Sequence, residues 1–263
     1  MKLLNINKYK TESYSIPHTR GLKKPNEDRL VADGERGIFI ILDGVTRPHG
    51  EYEAAPFESL AADLGDAFIK EAYAYLKMHI DDQDPEQILR GAVRVGNEGI
   101  TQYLLGLGSR NWSFYPSTLG IIALLRDGVL HYICVGDCIG VLIRKSSRML
   151  FGREFALEAV DLHDVSKQDR YQIYCNHPDN HLSYTVFNGD GVVMEGLEYS
   201  FIDIHEGDTL FLATDGIADY LKFEKASKLK NQTPAEIILA SGEYDATPYA
   251  EYADDKSLIK LSF

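Results

Sequence analysis

The stretch Ile38-Phe39-Ile40-Ile41-Leu42-Asp43-Gly44 places an aspartate and a glycine directly after an unbroken apolar run. A run this short, rich in Ile and Phe and closed by a turn signal, reads as a buried strand that delivers a carboxylate to the rim of a sheet. Leu210–Gly216 (LFLATDG) repeats the pattern, and Tyr132–Asp137 (YICVGD) repeats it with the glycine before the acid. A carboxylate held at the end of an apolar strand is costly unless positive charge stands beside it. These three acids have no basic neighbour in sequence, so the pattern asks for a cation.

Working outward, the segment Tyr9–Pro17 is polar with some alternation and predicts an edge strand. The basic turn GLKKP (21–25) opens onto NEDRLVAD, where Asn26, Glu27 and Asp28 precede a short strand. Neighbouring antiparallel strands present opposite ends to one edge, which brings Glu27 and Asp28 near Asp43. Pro56–Met78 carries Leu60, Leu64, Phe68, Ala72 and Leu76 at helical spacing. A second helix starts at Asp84, with an N-cap, a first-turn proline and Gln87 at the capping-box position. Its apolar face reads Ile88, Ala92, Val95, Gly99, Tyr103, and the small residues Ala92, Gly96 and Gly99 predict close packing against a neighbour.

From Ser117 the period is that of strands. STLGIIALL and VLHYICVGD flank Asp127-Gly128, a hairpin signal, and IGVLIRK follows at once, which predicts a three-strand antiparallel meander. Residues 146–181 are polar and read as an excursion outside the core. Strands are expected around Leu182–Phe187 and Tyr199–Ile204, a helix over Pro234–Ser241, and a terminal strand in DDKSLIKLSF that starts with Asp254 and Asp255. This order predicts one α+β domain over residues 1–263, with helices packed on antiparallel sheets.

The chain has 263 residues, 44% of them hydrophobic and 25% charged, enough for a large single core. A net charge of −13 argues against nucleic-acid and anionic-membrane partners. The opening MKLLNINKYK has no apolar core or cleavage site of a signal peptide, and no run reaches membrane-spanning length, so the cytoplasm is the expected location. Cys134, Cys138 and Cys175 form neither a disulfide framework nor a thiol metal site, and Cys134 reads as a small core residue.

Gathered by position, the acids at strand ends are Glu27 and Asp28, Asp43, Asp137, Asp215 with Asp219, and Asp254 with Asp255. Each alone is an ordinary turn residue; together they can share one edge. Ligation by oxygen only favours hard cations, Mg²⁺ or Mn²⁺. Two such ions bridged by one carboxylate would acidify a water and aim it at phosphorus or a carbonyl, and phosphoester hydrolysis is the natural use.

The ordered set NEDR (26–29), ILDGV (41–45), PSTLG (116–120), VGDC (135–138), GDTLFLATDGIAD (207–219) and ADDKSLIKL (253–261) resembles the PPM, or type 2C, metal-dependent serine/threonine protein phosphatases. The resemblance implies a central antiparallel β-sandwich flanked by pairs of helices, a four-layer αββα arrangement. It implies that Asp43 bridges two metals, that the Gly44 carbonyl binds the second, and that Asp215 and Asp255, preferred over Asp254, complete the first. Glu27 and Asp28 match the acidic pair that orders metal-bound water. Asp137 and Asp219 match the acids that hold a third ion in bacterial members.

The departures from that pattern are specific. The phosphate-gripping arginine is matched by Lys23, with Arg20 as a substitute, and lysine lacks the planar fork. Val45-Thr46-Arg47-Pro48 replaces the usual residues after Asp-Gly, where Arg47 is a candidate phosphate contact and His49 a candidate acid for the leaving alkoxide. Cys138 replaces a serine, and 146–181 does not resemble the family's flap. The leading expectation is a monomeric phosphatase of phospho-Ser/Thr proteins, attacking through a metal-bridged hydroxide and paired with a Ser/Thr kinase. A regulatory pseudophosphatase and a phosphatase of a small phosphorylated metabolite are the alternatives, and a structural protein whose acids are only turn residues is the remaining reading.

Overall fold

The computed structural model describes residues 9–17, 26–45, 60–82, 84–107, 117–152, 186–245 and 254–263. Arg20, Lys23, Arg47, His49, Cys175 and the 153–181 part of the excursion lie outside the described residues. Among the described residues, ten strands fall into two five-stranded antiparallel sheets. One has the order β2 (Arg29–Asp33), β3 (Ile38–Val45), β4 (Ser117–Arg126), β5 (Val129–Val135), β8 (Glu198–Asp203); the other has β1 (Lys10–Ile16), β10 (Lys256–Ser262), β9 (Thr209–Ala213), β6 (Ile139–Arg144), β7 (Ser147–Phe151).

Alternation along the strands makes the layers. In β9, β10 and β6, the residues Leu210, Leu212, Ile259, Leu261 and Leu142 enter the main core between the sheets. Their sequence neighbours Phe211, Ala213, Leu258, Val141 and Ile143 point the other way, into a second core. The short helices α3 (Ala218–Phe223), α4 (Ala226–Asn231) and α5 (Pro234–Asp245) cover that second core with Leu221, Leu229 and Ile237. The long helices α1 (Leu60–His79) and α2 (Pro85–Gly106) cover the first sheet. The four-layer αββα architecture follows.

The hairpin at Asp127-Gly128 forms as expected, both residues taking positive φ (52° and 77°). The expected meander does not continue. The chain leaves β5 at Val135, turns through Gly136-Asp137-Cys138, and enters the opposite sheet, where β6 lies between β7 and β9. Gly136 makes the crossing possible: its φ is +81°, and a Cβ there would stand 2.6 Å from the Leu119 side chain. The excursion also begins later than 146, because Ser147–Phe151 pairs with β6 as an edge strand and buries Phe151 against Tyr132 at 4.7 Å between ring centroids.

Helix α2 is capped by Asp84 Oδ1, which accepts from the Glu86 and Gln87 amides at 3.0 and 3.3 Å. Its buried face is rotated from the expected one: Leu89, Val93, Ile100 and Leu104 join Ile88 and Ala92 in the core, while Val95, Gly99 and Tyr103 are only half-buried. The margin faces α1, where a Cβ on Gly99 would meet the Ala67 carbonyl at 2.9 Å and Tyr103 donates to Asp63 at 2.7 Å. Close packing is concentrated at Gly96, which lies under the Phe68 ring.

The Gly136→Ala substitution is expected to cost about 1–3 kcal/mol, combining a disfavoured left-handed residue with overlap on Leu119. Urea unfolding of the metal-free protein measures it, and an unchanged midpoint would contradict the role given to this turn.

Candidate metal centre

Four strand ends and the chain crossing meet at one edge of the sandwich. Strand β3 does not stop at Asp43 but runs through Gly44 to Val45, because Asp43 pairs with Leu119 and Gly44 with Thr118 on β4. The Thr118 hydroxyl donates to the Asp43 carbonyl at 2.7 Å and fixes the backbone that presents the carboxylate. A side chain at 44 would collide with Glu27, 2.4 Å from its Cβ, so glycine lets residues 26–28 pass beside the strand. Thus Glu27 and Asp28 do stand near Asp43.

Carboxylate oxygens of Asp43, Asp137 and Asp215 all lie within 4.8 Å of one another. Asp43 reaches the group from β3, Asp137 from the crossing between sheets, and Asp215 from the turn after β9. Burial is the largest influence on Asp43 and drives its pKa well above the ordinary carboxylate range; the charges of Asp215, Asp28, Asp137 and Asp254 add to it. Asp28 is likewise pushed well up, first by burial and then by Asp255 and Asp215, against the opposing hydroxyl bonds of Ser257 and Thr214. Thr214 donates to Asp28 Oδ2 at 2.9 Å, and Asp28 Oδ1 is buried with no hydrogen-bond partner among the described residues. Converging acids with an unused buried oxygen are what a divalent cation satisfies, so the donor set fits a hard metal ion.

The remaining expected residues separate into two places. Asp255 and Glu27 are both buried, and the Glu27 amide donates to Asp255 Oδ2 at 2.7 Å. Of the terminal pair, the charge of Asp254 bears on Asp43 and that of Asp255 bears on Asp28. Asp219 is exposed in the first turn of α3, 3.7 Å from Lys222 Nζ, and is not part of the three-carboxylate group. Cys138, beside Asp137, is fully buried; burial, then Asp43 and Asp137, push its thiol up, which keeps it protonated. Cys134 donates to the Cys138 carbonyl at 3.4 Å, a local tie consistent with a small core residue.

Sequence reasoning missed the hydroxyl network under the acids. Ser15 Oγ lies 2.6 Å from Ser257 Oγ and accepts from Asn26, whose Oδ1 accepts from the Asp28 amide at 2.9 Å. Serines and threonines on different strands carry no spacing signal that would link them. Arg29 gave a signal only in the NEDR motif; its guanidinium donates to the Asn26 and Asp28 carbonyls and to Asp66 on α1, bracing the turn that holds the acidic pair.

No protein-family model matches the chain. No curated protein matches it by sequence. Solved structures do match over nearly the whole length. The serine/threonine phosphatase PstP/Ppp of Mycobacterium tuberculosis is 17% identical with a TM-score of 0.65, over 97% of this chain and 98% of that one. The catalytic domain of PstP with two manganese ions is 18% identical, TM-score 0.61, over 97% of each chain. The PPM Ser-Thr phosphatase MsPP of Mycobacterium smegmatis, solved with cacodylate, is 14% identical, TM-score 0.60, over 97% of this chain and 98% of that one. The fold is therefore that of the PPM phosphatases, as the sequence motifs implied.

The raised carboxyls make a pH test. A group whose folded pKa lies above its unfolded value of about 3.9 holds protons that the unfolded chain has released, so its contribution to stability is lost as pH rises through the folded value. With chelator present, the melting temperature of the wild type is expected to fall from about pH 5 toward pH 8, and Asp43→Asn should flatten the slope and melt higher at pH 8. Added Mn²⁺ should restore the wild type and not the variant. A flat metal-free wild-type profile would remove the basis for the cluster's repulsion.

Proposed function

We propose that this chain is a divalent-metal-dependent phosphatase of phospho-Ser/Thr proteins. The observation that carries the reading is the convergence of Asp43, Asp137 and Asp215 within 4.8 Å beside a buried Asp28, at the edge where the family-like motifs meet. Asp43, Asp215 and the Gly44 carbonyl would hold two ions, Mn²⁺ or Mg²⁺, with Asp254 taking the place first assigned to Asp255. What supports that exchange is that an Asp255 carboxylate oxygen is taken by the Glu27 amide, while the charge of Asp254 bears on Asp43. Asp137 with Asp219 would serve a third ion, for which Asp219 must leave Lys222.

Bound ions supply Lewis acidity toward phosphoryl oxygens and lower the pKa of water. The chain's own groups orient what reacts there. With Thr214 bonded to Asp28 Oδ2, the buried Asp28 Oδ1 is the acceptor left for a hydrogen bond from water. Asp255 is a positioning residue, fixing the backbone of the Glu27–Asp28 pair. Lys23 or Arg20 would contact the substrate phosphate, and His49 would protonate the leaving alkoxide. A phosphoprotein substrate, a partnering Ser/Thr kinase, a monomeric state and a cytoplasmic setting complete the proposal; no helix among the described residues is long and apolar enough to cross a membrane.

Hydrolysis of para-nitrophenyl phosphate and of a phosphothreonine peptide, with and without Mn²⁺, tests this reading. Turnover should need the metal and fall about a hundredfold or more in Asp43→Asn. Metal binding without turnover on either substrate would leave a regulatory pseudophosphatase, and turnover of the aryl phosphate but not the peptide would point to a small metabolite.

The ligand exchange has its own test. Asparagine at 255 still accepts from the Glu27 amide, so Asp255→Asn should keep most activity, whereas Asp254→Asn should lose about tenfold or more. The reverse order would return the ligand role to Asp255.

A further inference from the structure

Where α1 hands over to α2, the two helices and Met194 line a cleft of about 530 Å³, a size suited to a small organic ligand. Strand β3 runs from Ile38, paired with Leu124, to the metal centre at Asp43, and Arg126 at the end of β4 donates to the Asp82 carbonyl at the cleft. The strand length puts the cleft roughly 20 Å from the carboxylates.

Charges around the cleft are mostly committed. Asp84 caps α2 with its carboxylate and so satisfies the amides of the first turn. Asp82 Oδ2 is 2.7 Å from His79 Nδ1, and Arg90 is 2.8 Å from Glu86 with a second bond to the Leu197 carbonyl. Arg94, one turn further along α2, has no hydrogen bond or ion pair among the described residues. The Gln87 side-chain amide and the Tyr75 hydroxyl, which line the same cleft, have no hydrogen-bond partner among them either. The Tyr75 phenol lies across the bare backbone of Gly91, where a Cβ would be 2.3 Å from its oxygen. Ile88 and Met194 supply apolar wall.

We propose that this cleft binds a small organic anion with an apolar body. The Arg94 guanidinium grips its carboxylate, sulfonate or phosphate as a planar fork, Gln87 and Tyr75 donate to the same group, and Ile88 and Met194 hold the apolar part. An uncommitted guanidinium beside uncommitted donors and an apolar wall favours this ligand over a neutral or cationic one. The inference is independent of the phosphatase reading, since no residue of the metal centre takes part.

Isothermal titration calorimetry of the full chain with naphthalene-2-sulfonate, in chelator so that the metal centre is silent, tests it. Saturable binding at one site is expected, weakened about tenfold or more in Arg94→Gln and weakened also in Gln87→Ala, with Asp43→Asn unchanged. Displacement of the probe by benzoate or by phenyl phosphate would identify which anionic head the cleft prefers, and displacement by either supports the site. Absence of saturable heat, or equal affinity in Arg94→Gln, overturns the proposal; the latter would move the binding to another surface such as the exposed Phe201.

Discussion

Mutual repulsion among carboxylates is the constraint on which the rest of this structure depends. Asp43 and Asp28 are buried, and Asp137, Asp215, Asp254 and Asp255 press charge on one or both of them. Burial and neighbouring charge raise both pKa values, so in a metal-free chain those groups relieve the repulsion by keeping protons. The sandwich supplies what opposes the repulsion. Apolar residues of β3, β4, β9 and β10 are almost all fully buried, so the strand ends that carry the acids cannot drift apart without opening a core.

Backbone ties then set the geometry more finely than packing does. Thr118 holds the Asp43 carbonyl, Thr214 holds Asp28, and the Glu27 amide reaches Asp255 from a position 228 residues away in sequence. Each tie joins a different pair of elements, and together they span both sheets. Loss of one partner would leave a buried polar group unmatched, which is costlier than the bond itself is favourable. Glycine is required where these segments cross: Gly44 beside Glu27, and Gly216 against the Asp255 carbonyl, 2.2 Å from where its Cβ would be.

Most of this was legible in the sequence because apolar runs and turn signals are local. IFIILDG and LFLATDG announced two strands and their acids, and Asp-Pro-Glu-Gln announced a helix start that Asp84 does cap. What was not legible depends on partners. IGVLIRK reads the same whether its strand joins the sheet it follows or the one opposite, and the chain reaches the second through a left-handed turn at Gly136. The helices over 218–223 and 226–231 are one and a half turns each, too short to show a period, and they exist because Leu221 and Leu229 close the second core. That the Asp255 carboxylate accepts the amide of Glu27, 228 residues away, is likewise a fact no spacing contains.

The same core separates the carboxylate cluster from the cleft lined by α1 and α2. Strands β3 and β4 are paired without interruption from Ile38 with Leu124 to Val45 with Ser117, and both faces of the pair are covered. A close-packed strand pair transmits position but offers no cavity through which a ligand at Arg94 could touch a substrate at Asp43. Helix α2 is a separate physical route. It carries Arg94 and Gln87 in its first half and, through Asn97 and Thr101, holds Gly189 and Asp190 in the segment that returns from residues 153–185. An anion on α2 would therefore bear first on Gly189 and Asp190, while the strands hold the Asp43 carboxylate in place.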